Sequence, residues 1–272
     1  MRLGLSRRDD AVSKTIVADD GCSLRVEVEG DEAAPVLMLS HPLGATLAMW
    51  DLQVEELSKI FRVIRYDTRG HGKSGAPSDP YSMDRLGRDV LNIVDALGVG
   101  VMHWCGLSMG GMVGQWLGAN APGRVRKLIL SNTASYYPDK DFWRQRIATI
   151  ERTGLAPLAA SNMPRWFSEE FLAHSPDVVS RMREIFSSHS VKGYVGCCAA
   201  IAAMDFRKSN ESITAPTMVI VGLRDIATPP EQGHEIATSI RGATVTEINS
   251  GHVANIEQPK QYTDAVSSFL LS

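Results

Sequence analysis

A serine between two glycines is the residue of this chain with the clearest chemical meaning. Ser108 is the centre of Gly106-Leu-Ser-Met-Gly110, which follows an apolar run and precedes a helical pattern. A sharp strand-to-helix turn strains its central residue, and glycine on either side lets the flanking chain approach without Cβ clashes. Such a turn holds a hydroxyl clear of a sheet, at a helix N-terminus whose amides favour negative charge. The spacing therefore predicts a nucleophile at Ser108.

A serine nucleophile needs a base and an acid that orients the base. His252 follows the last apolar run in a loop, and Asp225 follows the run before it, which gives the order Ser108, Asp225, His252. The end of the strand after the nucleophile helix is another common place for the acid, but Ser131 and Asn132 stand there. We predict that His252 takes the proton of Ser108 and returns it to the leaving group. Asp225 would fix the imidazole tautomer and stabilise its cation.

The oxyanion formed in such a reaction needs two backbone amides as donors. One is expected from Met109, directly after the nucleophile, and the other from the loop after the apolar run at residues 36–39. That loop reads Ser40-His-Pro-Leu-Gly44, and Pro42 has no N–H to donate, which leaves Leu43 as the second donor. We expect His41 to hold this loop by hydrogen bonds rather than to take part in the chemistry.

Short apolar runs alternate with longer amphipathic stretches, which is typical of a parallel sheet with helical crossovers. Several runs are apolar at consecutive positions, as expected of strands covered on both faces. Strands are predicted at residues 24–28, 36–39, 63–66, 101–105, 127–130, 217–221 and 244–248. Helices are predicted at residues 50–59, 82–97, 110–120, 231–240 and 259–270, with Ser82 as the N-cap of the second. The pattern indicates the α/β class.

Residues 133–211 interrupt this alternation because they contain helical patterns and no convincing strand. We interpret them as a helical cap inserted into an α/β core made of residues 1–132 and 212–272. A long insertion at the carboxyl end of a strand is where an α/β protein usually builds its ligand site. The alternative is a small packing subdomain with no ligand role.

The composition excludes several classes of protein. The 272 residues are 44% apolar and 22% charged, which excludes disorder and fibres. A net charge of −3 without a basic stretch gives no footprint for nucleic acid or an anionic membrane surface. The four cysteines lack the spacing of a disulfide scaffold or a zinc site. The longest apolar runs are too short to span a membrane, and the basic N-terminal segment lacks the apolar region of a signal peptide. We expect a cytoplasmic protein without metal, cofactor, nucleic-acid or membrane partner, and leave open whether it forms a homo-oligomer.

These motifs together resemble the α/β-hydrolase fold family over essentially the whole chain. The turn Asp67-Thr-Arg-Gly-His-Gly-Lys-Ser74 is similar to the family's DxRGxGxS turn, whose expected role is to shape a loop. Within the family, the chain resembles the 3-oxoadipate enol-lactonases of aromatic catabolism. The segments that carry this resemblance are 43–44, 49–51, 65–72, 106–118, 130–134 and 252–259. The resemblance implies a mostly parallel eight-stranded sheet flanked by helices, with an inserted helical cap. It also implies opening of an enol-lactone that carries a free carboxylate, without metal or cofactor.

Two segments depart from those lactonases. At the oxyanion loop this chain has His41-Pro42-Leu43-Gly44, where many of those lactonases have a sequence similar to Asn-Ser-Leu-Gly. Ser135-Tyr-Tyr137 stands where they often have a basic residue near the substrate. Both changes bear on substrate recognition and leave the three catalytic candidates unchanged.

An anionic substrate requires a cation beside an apolar wall. The predicted cap supplies Trp143, Arg144, Arg146, Arg165 and Trp166. The Trp-x-x-Arg spacing puts Trp143 and Arg146 on one helical face, and we take these two and Trp166 as substrate-binding candidates. The alternative is that the arginines are solvated surface charges and the tryptophans form the core of the cap.

The leading hypothesis is a cofactor-free serine hydrolase that acts on a small ester or lactone through an acyl-enzyme, with an enol-lactone as substrate. One alternative is a general carboxylesterase or perhydrolase, suggested by Pro42 in the oxyanion loop. Another is a non-catalytic ligand sensor, against which the complete set of Ser108, Asp225 and His252 argues.

Overall fold

The computed structural model describes residues 12–78 and 80–272 of the chain. Within them, eight strands form one sheet. The strands are β1 (Val12–Val17), β2 (Ser23–Glu29), β3 (Val36–Ser40), β4 (Arg62–Tyr66), β5 (Met102–Leu107), β6 (Val125–Ser131), β7 (Thr217–Gly222) and β8 (Thr244–Ile248). Their order is β1-β2-β4-β3-β5-β6-β7-β8. β2 is antiparallel to both of its neighbours, and all other pairs are parallel. This is the mostly parallel eight-stranded sheet that the resemblance implied.

Helices follow most of the strands. They are α1 (Asp51–Leu57), α2 (Met83–Ala96), α3 (Met109–Asn120), α4 (Lys140–Thr153), α5 (Ala156–Trp166), α6 (Glu169–His174), α7 (Pro176–Ser187), α8 (Val191–Ala203), α9 (Pro230–Ser239), α10 (Ala254–Glu257) and α11 (Pro259–Leu271). The Ser82 hydroxyl accepts the Arg85 N–H at 3.1 Å, so α2 begins with the predicted N-cap.

The strands differ widely in burial. β5 and β7 are buried at every position, and apart from His103 and Thr217 near their N-terminal ends their residues are apolar or glycine. β1 was not predicted. It is an antiparallel edge strand in which only Ile16 is buried, so it lacks the apolar run that marked the other strands.

The segment between β6 and β7 contains α4 to α8 and, in the part of the chain that the structure describes, no strand. One isolated antiparallel bridge, between Tyr136 and Asp205, joins the beginning of this segment to its end. The division into a core and a cap at residues 133–211 stays a prediction.

The topology brings several loops to one edge of the sheet. β3, β4, β5, β7 and β8 run in the same direction, so the loops that follow them lie at their shared carboxyl edge. That edge is where open α/β sheets bind ligands. All the predicted catalytic residues come from these loops.

Candidate active site

Ser108 lies at the turn between β5 and α3. Its backbone has φ +55° and ψ −113°, a conformation that non-glycine residues rarely adopt. A Cβ atom at Gly106 would lie 2.1 Å from the Gly110 carbonyl oxygen, and one at Gly110 would lie 2.3 Å from that of Ser40. Only glycine therefore fits at either position, as the spacing predicted. The Ser108 N–H donates to the Ser131 carbonyl at 2.9 Å and fixes the strained turn against β6.

His252 and Asp225 form a buried pair in the loops after β8 and β7. The His252 Nδ1 atom lies 2.8 Å from Asp225 Oδ2, and the two residues are 3% and 2% exposed. Asp225 Oδ1 accepts the N–H groups of Ala227 and Thr228 at 2.8 and 2.9 Å. One carboxylate oxygen thus shapes the loop and the other orients the imidazole. A proton on Nδ1 leaves Nε2 free to act as a base.

Two residues that the sequence did not assign also contact the Asp225 carboxylate. The Thr228 hydroxyl donates to Asp225 Oδ2 at 2.7 Å, and the Asn132 amide donates to the same atom at 3.1 Å. Asn132 is buried, has φ +45° and also donates to the Gly251 carbonyl at 3.3 Å. Its position was noted in the sequence only as a strand end without a carboxylate. No sequence pattern distinguished Thr228.

These donors set the charge of the acid. Burial alone raises the pKa of Asp225, but the charge and hydrogen bond of His252, together with the donors from Thr228, outweigh burial and hold the pKa below its ordinary value. Asp225 is therefore an ionised carboxylate that can stabilise an imidazolium at His252.

Ser108 and His252 line the same cavity at the carboxyl edge of the sheet, called here the active-site cavity. Among the hydrogen bonds formed within residues 12–78 and 80–272, none joins the Ser108 hydroxyl to His252. Such bonds are often long without substrate and shorten in the reacting complex. The structure therefore brings Ser108 and His252 to one cavity, with Asp225 hydrogen-bonded to His252 behind its wall.

Leu43 and Met109 stand where the two oxyanion donors were expected. Leu43 lines the active-site cavity, and Met109 is the first residue of α3, whose N–H has no intrahelical partner. The Ala45 N–H donates to the Pro42 carbonyl at 3.2 Å, which closes a turn around Leu43 and leaves the Leu43 N–H outside it. In the described part of the chain, neither amide donates to another protein group. Both are thus free to bind an oxyanion.

The segment between β6 and β7 supplies the opposite wall of the cavity. The lining residues are Leu43, Ser108, Met112, Ala227 and His252 on the sheet side and Tyr137, Phe142, Trp143, Arg146, Asn162, Arg165, Trp166, Tyr194 and Ile201 on the other. All three substrate-binding candidates, Trp143, Arg146 and Trp166, lie in this wall. Arg144 does not, and it pairs with Asp141 at 2.6 Å on the surface.

Two buried donors on α4 are unsatisfied. Trp143 Nε1 and Arg146 Nε have no hydrogen-bond partner among the described residues. Arg146 Nη2 donates to the neutral oxygens of Tyr194 at 2.5 Å and Asn162 at 3.1 Å. Burial alone lowers the pKa of Arg146, but its interactions with Tyr194 and Cys198 raise the pKa above its ordinary value, so the guanidinium stays charged.

A second guanidinium adds to the positive charge of the cavity. Arg165 lies over the Phe142 ring, with 5.6 Å between its Cζ atom and the ring centroid. Within residues 12–78 and 80–272, no carboxylate lines the cavity or forms an ion pair with Arg146 or Arg165. The cavity is therefore positively charged and partly apolar, which suits a small organic anion.

The described residues offer no metal site, membrane-spanning helix or disulfide. No group of three or more His, Cys, Asp or Glu side chains in the described chain could hold a metal ion. No helix in this part of the chain has the length and apolar character needed to cross a membrane. The four cysteines are buried and unpaired.

Comparison with known proteins adds the family to this geometry. A profile described as the alpha/beta hydrolase fold matches residues 35–259. The chain belongs to the α/β hydrolase fold family. One relative, 3-oxoadipate enol-lactonase 2 of Acinetobacter baylyi, is 35% identical to this hydrolase over 256 residues, which cover 94% of this chain and 96% of the relative.

Solved structures agree with this assignment. The enol-lactonase from Burkholderia xenovorans LB400 superposes on the hydrolase with a TM-score of 0.93 and 38% identity, covering 95% of this chain and 100% of that one. A hydrolase from Pseudomonas aeruginosa gives 0.93 and 39%, covering 96% and 98%. The predicted fold and family are confirmed, and the protein is a carboxylic ester hydrolase.

Proposed function

We propose that this hydrolase opens a small enol-lactone that carries a free carboxylate, with Ser108 as nucleophile, His252 as base and Asp225 as orienting acid. The named substrate of its relatives, 3-oxoadipate enol-lactone, is the first candidate. As part of the same proposal, residues 133–211 act as a cap over the site, and the enzyme works in the cytoplasm in aromatic compound catabolism through the β-ketoadipate pathway.

The mechanism follows from the arrangement of the groups. The Ser108 oxygen attacks the lactone carbonyl while His252 Nε2 takes its proton, and the amides of Leu43 and Met109 bind the oxyanion. The ring C–O bond then breaks, and the leaving enolate takes the proton from His252 and becomes a ketone. Water, activated by His252, hydrolyses the acyl-enzyme and restores Ser108. No cofactor takes part in these steps.

The observation that carries the substrate class is the pair of unsatisfied donors on α4. Trp143 and Arg146 both line the active-site cavity, and Trp143 Nε1 and Arg146 Nε are buried without partners among the described residues. Leaving a buried donor unpaired costs roughly 1–3 kcal/mol, so such groups are usually completed by a ligand or water. A carboxylate is the ligand that would accept from both and also neutralise Arg146.

The decisive experiment compares kcat/KM for 3-oxoadipate enol-lactone with kcat/KM for p-nitrophenyl acetate, using Ser108→Ala as the blank. We expect a preference for the lactone of about 10³ or more, which corresponds to roughly 4 kcal/mol of differential transition-state binding. We also expect Ser108→Ala to lose about 10⁶ in kcat on both substrates.

A ratio near one, with Ser108→Ala inactive, would leave the serine mechanism in place and refute the lactone. A general carboxylesterase, whose motivation is Pro42 in the oxyanion loop, would then be the better description. Unchanged turnover in Ser108→Ala would refute the serine mechanism itself.

A further inference from the structure

The loops that follow β3 and β4 hold each other through two buried histidines. The Thr68 N–H of the second loop donates to His41 Nε2 of the first at 3.0 Å. The Gly44 N–H of the first loop donates to His71 Nε2 of the second at 2.9 Å. His41 and His71, called here the imidazole brace, lie with their ring centroids 5.3 Å apart. Each loop thus supplies an acceptor for a backbone amide of the other.

Both rings are neutral, with the proton on the other nitrogen. His41 Nδ1 lies 2.7 Å from the Pro42 carbonyl oxygen, and His71 Nδ1 lies 3.3 Å from that of Arg69, so each Nδ1–H donates. The residues are 0% and 1% exposed. Burial lowers the pKa of both imidazoles, which keeps Nε2 unprotonated and able to accept.

The brace determines which amide of the oxyanion loop is left for the substrate. The turn from Pro42 to Ala45 has Gly44 at φ +84°, the value required at the third position of a type II turn. The Gly44 N–H is bound to His71, which does not line the cavity. The peptide plane after Leu43 is therefore fixed, and the neighbouring Leu43 N–H remains the unpaired donor.

Contacts from the helical segment prevent this arrangement from relaxing. His189, just after α7, packs on His71 with 4.7 Å between ring centroids, and its Nδ1 accepts the Gly72 N–H at 3.2 Å. A Cβ atom at Gly44 would lie 2.7 Å from the Phe186 ring of α7. The oxyanion loop is thus enclosed between the imidazole of His71 and an aromatic side chain.

We propose that His71 is a positioning residue of the oxyanion hole: its Nε2 atom holds the Gly44 N–H and thereby aims the Leu43 N–H at the oxyanion. His71 does not line the active-site cavity and does not touch substrate. The inference rests on the proposed serine mechanism, because it assigns a role in stabilising that mechanism's tetrahedral intermediate. It also explains how a loop with Pro42 provides a rigid donor.

The test uses His71→Leu, which removes the acceptor, and His71→Gln, whose side-chain oxygen can replace it. His103→Leu is the matched control, because His103 is also a buried histidine, 4% exposed, near the opposite end of β5. Turnover of p-nitrophenyl acetate is measured so that the result does not depend on the lactone. Thermal melting checks that each variant is folded.

The second readout is inhibition by n-butylboronic acid. The Ser108 oxygen adds to the trigonal boron, the Ser108 proton passes to His252, and the tetrahedral adduct presents an oxygen to the oxyanion hole. A boronate therefore reports the oxyanion donors, whereas KM mainly reports binding of the ground state. A merely structural role of His71 would not weaken boronate inhibition while leaving KM unchanged.

We expect His71→Leu to lower kcat about 100-fold, since a misplaced oxyanion donor costs on the order of 10² in rate. The Ki of the boronate should rise by the same factor, with KM within about threefold of wild type. His71→Gln should recover kcat to within about fivefold, and His103→Leu should match the wild type. If His71→Leu does not fold, His71→Asn replaces it, because its shorter side chain falls short of Gly44.

Three results would overturn the proposal: unchanged kcat in a folded His71→Leu or His71→Asn, a lower kcat with unchanged boronate inhibition, or no recovery in His71→Gln. Failure of the proposed function looks different. In that case the wild-type protein itself would hydrolyse no ester, or Ser108→Ala would retain activity and boronate inhibition.

Discussion

The two walls of the active-site cavity differ in how their polar groups are satisfied. On the sheet side, the Asp225 carboxylate, which lies behind His252, accepts five hydrogen bonds from Ala227, Thr228, Asn132 and His252. On the helical side, the buried nitrogens Trp143 Nε1 and Arg146 Nε have no partner among the described residues.

The difference separates two tasks. Catalytic groups react faster when they are already oriented, because they need no reorganisation during the reaction. A site that selects a ligand gains from buried donors that only the correct ligand completes, because a wrong ligand leaves them unpaired. Damage to the sheet side should therefore affect every substrate, and damage to the helical side should affect only substrates with an anionic group.

The largest expected effect on the sheet side, beyond loss of the nucleophile, is that of Asp225→Asn. The neutral amide no longer fixes the Nδ1–H tautomer or stabilises the imidazolium, so we expect kcat to fall about 10⁴-fold on the lactone and on p-nitrophenyl acetate alike. Asp141→Asn, an exposed carboxylate on α4, is the control and should retain full activity. A loss below tenfold would mean that another group orients His252.

On the helical side, Arg146→Met removes the charge and keeps most of the side-chain volume. We expect kcat/KM for the enol-lactone to fall about 100-fold, as for loss of a hydrogen bond between charged groups, and kcat/KM for p-nitrophenyl acetate to change less than about threefold. Arg144→Met is the matched control, because Arg144 lies on the same helix but pairs with Asp141 on the surface. Equal losses on both substrates would show that Arg146 supports the catalytic groups rather than selecting the anion.

The sequence predicted the two walls to different depths. Ser108, Asp225 and His252 could be predicted because each follows a predicted strand of a parallel sheet, and topology brings the carboxyl ends of such strands together. The helical spacing put Trp143 and Arg146 on one face, but only packing decides that this face lines the cavity. Asn132 and Thr228 were not assigned because their contacts with Asp225 arise from side-chain directions in irregular loops, where no period constrains them. β1 was missed for the related reason that an exposed edge carries little hydrophobic pattern.

A smaller effect on the sheet side is expected at Asn132, whose amide donates to Asp225 Oδ2 while its backbone has φ +45°. Asn132→Gly and Asn132→Ala both remove the donor, so we expect each to lower kcat about tenfold on either substrate, the effect of one charge-assisted hydrogen bond. Only alanine adds a Cβ to a left-handed backbone, so Asn132→Ala should be less stable than Asn132→Gly by about 1 kcal/mol in urea unfolding.

The pair separates two roles of Asn132. Both variants lose the side-chain amide, so they should have equal activities, and they differ in backbone strain, so they should differ in stability. Different activities with equal stabilities would contradict the assignment. If Asn132→Gly keeps full activity, Thr228 and His252 suffice to hold the carboxylate.

The smallest expected effect concerns stability away from both walls. Burial, with the nearby charges of Arg126 and Lys127, lowers the pKa of His103 from its ordinary 6.5 to about 4. Between these two values the unfolded chain binds a proton at this position that the folded protein does not, so the free energy of unfolding falls as the pH falls through this window. We expect His103→Gln to reduce the slope of unfolding free energy against pH by about 1.2 kcal/mol per pH unit between pH 6 and 5, measured by urea unfolding. His234→Gln is the control, because His234 is exposed on α9 and its side chain pairs with Glu247 at the surface. Both variants should keep the wild-type kcat at neutral pH, because neither residue lines the active-site cavity. If His103→Gln leaves the slope unchanged, His103 takes up its proton in the folded protein, and its burial does not make stability depend on pH.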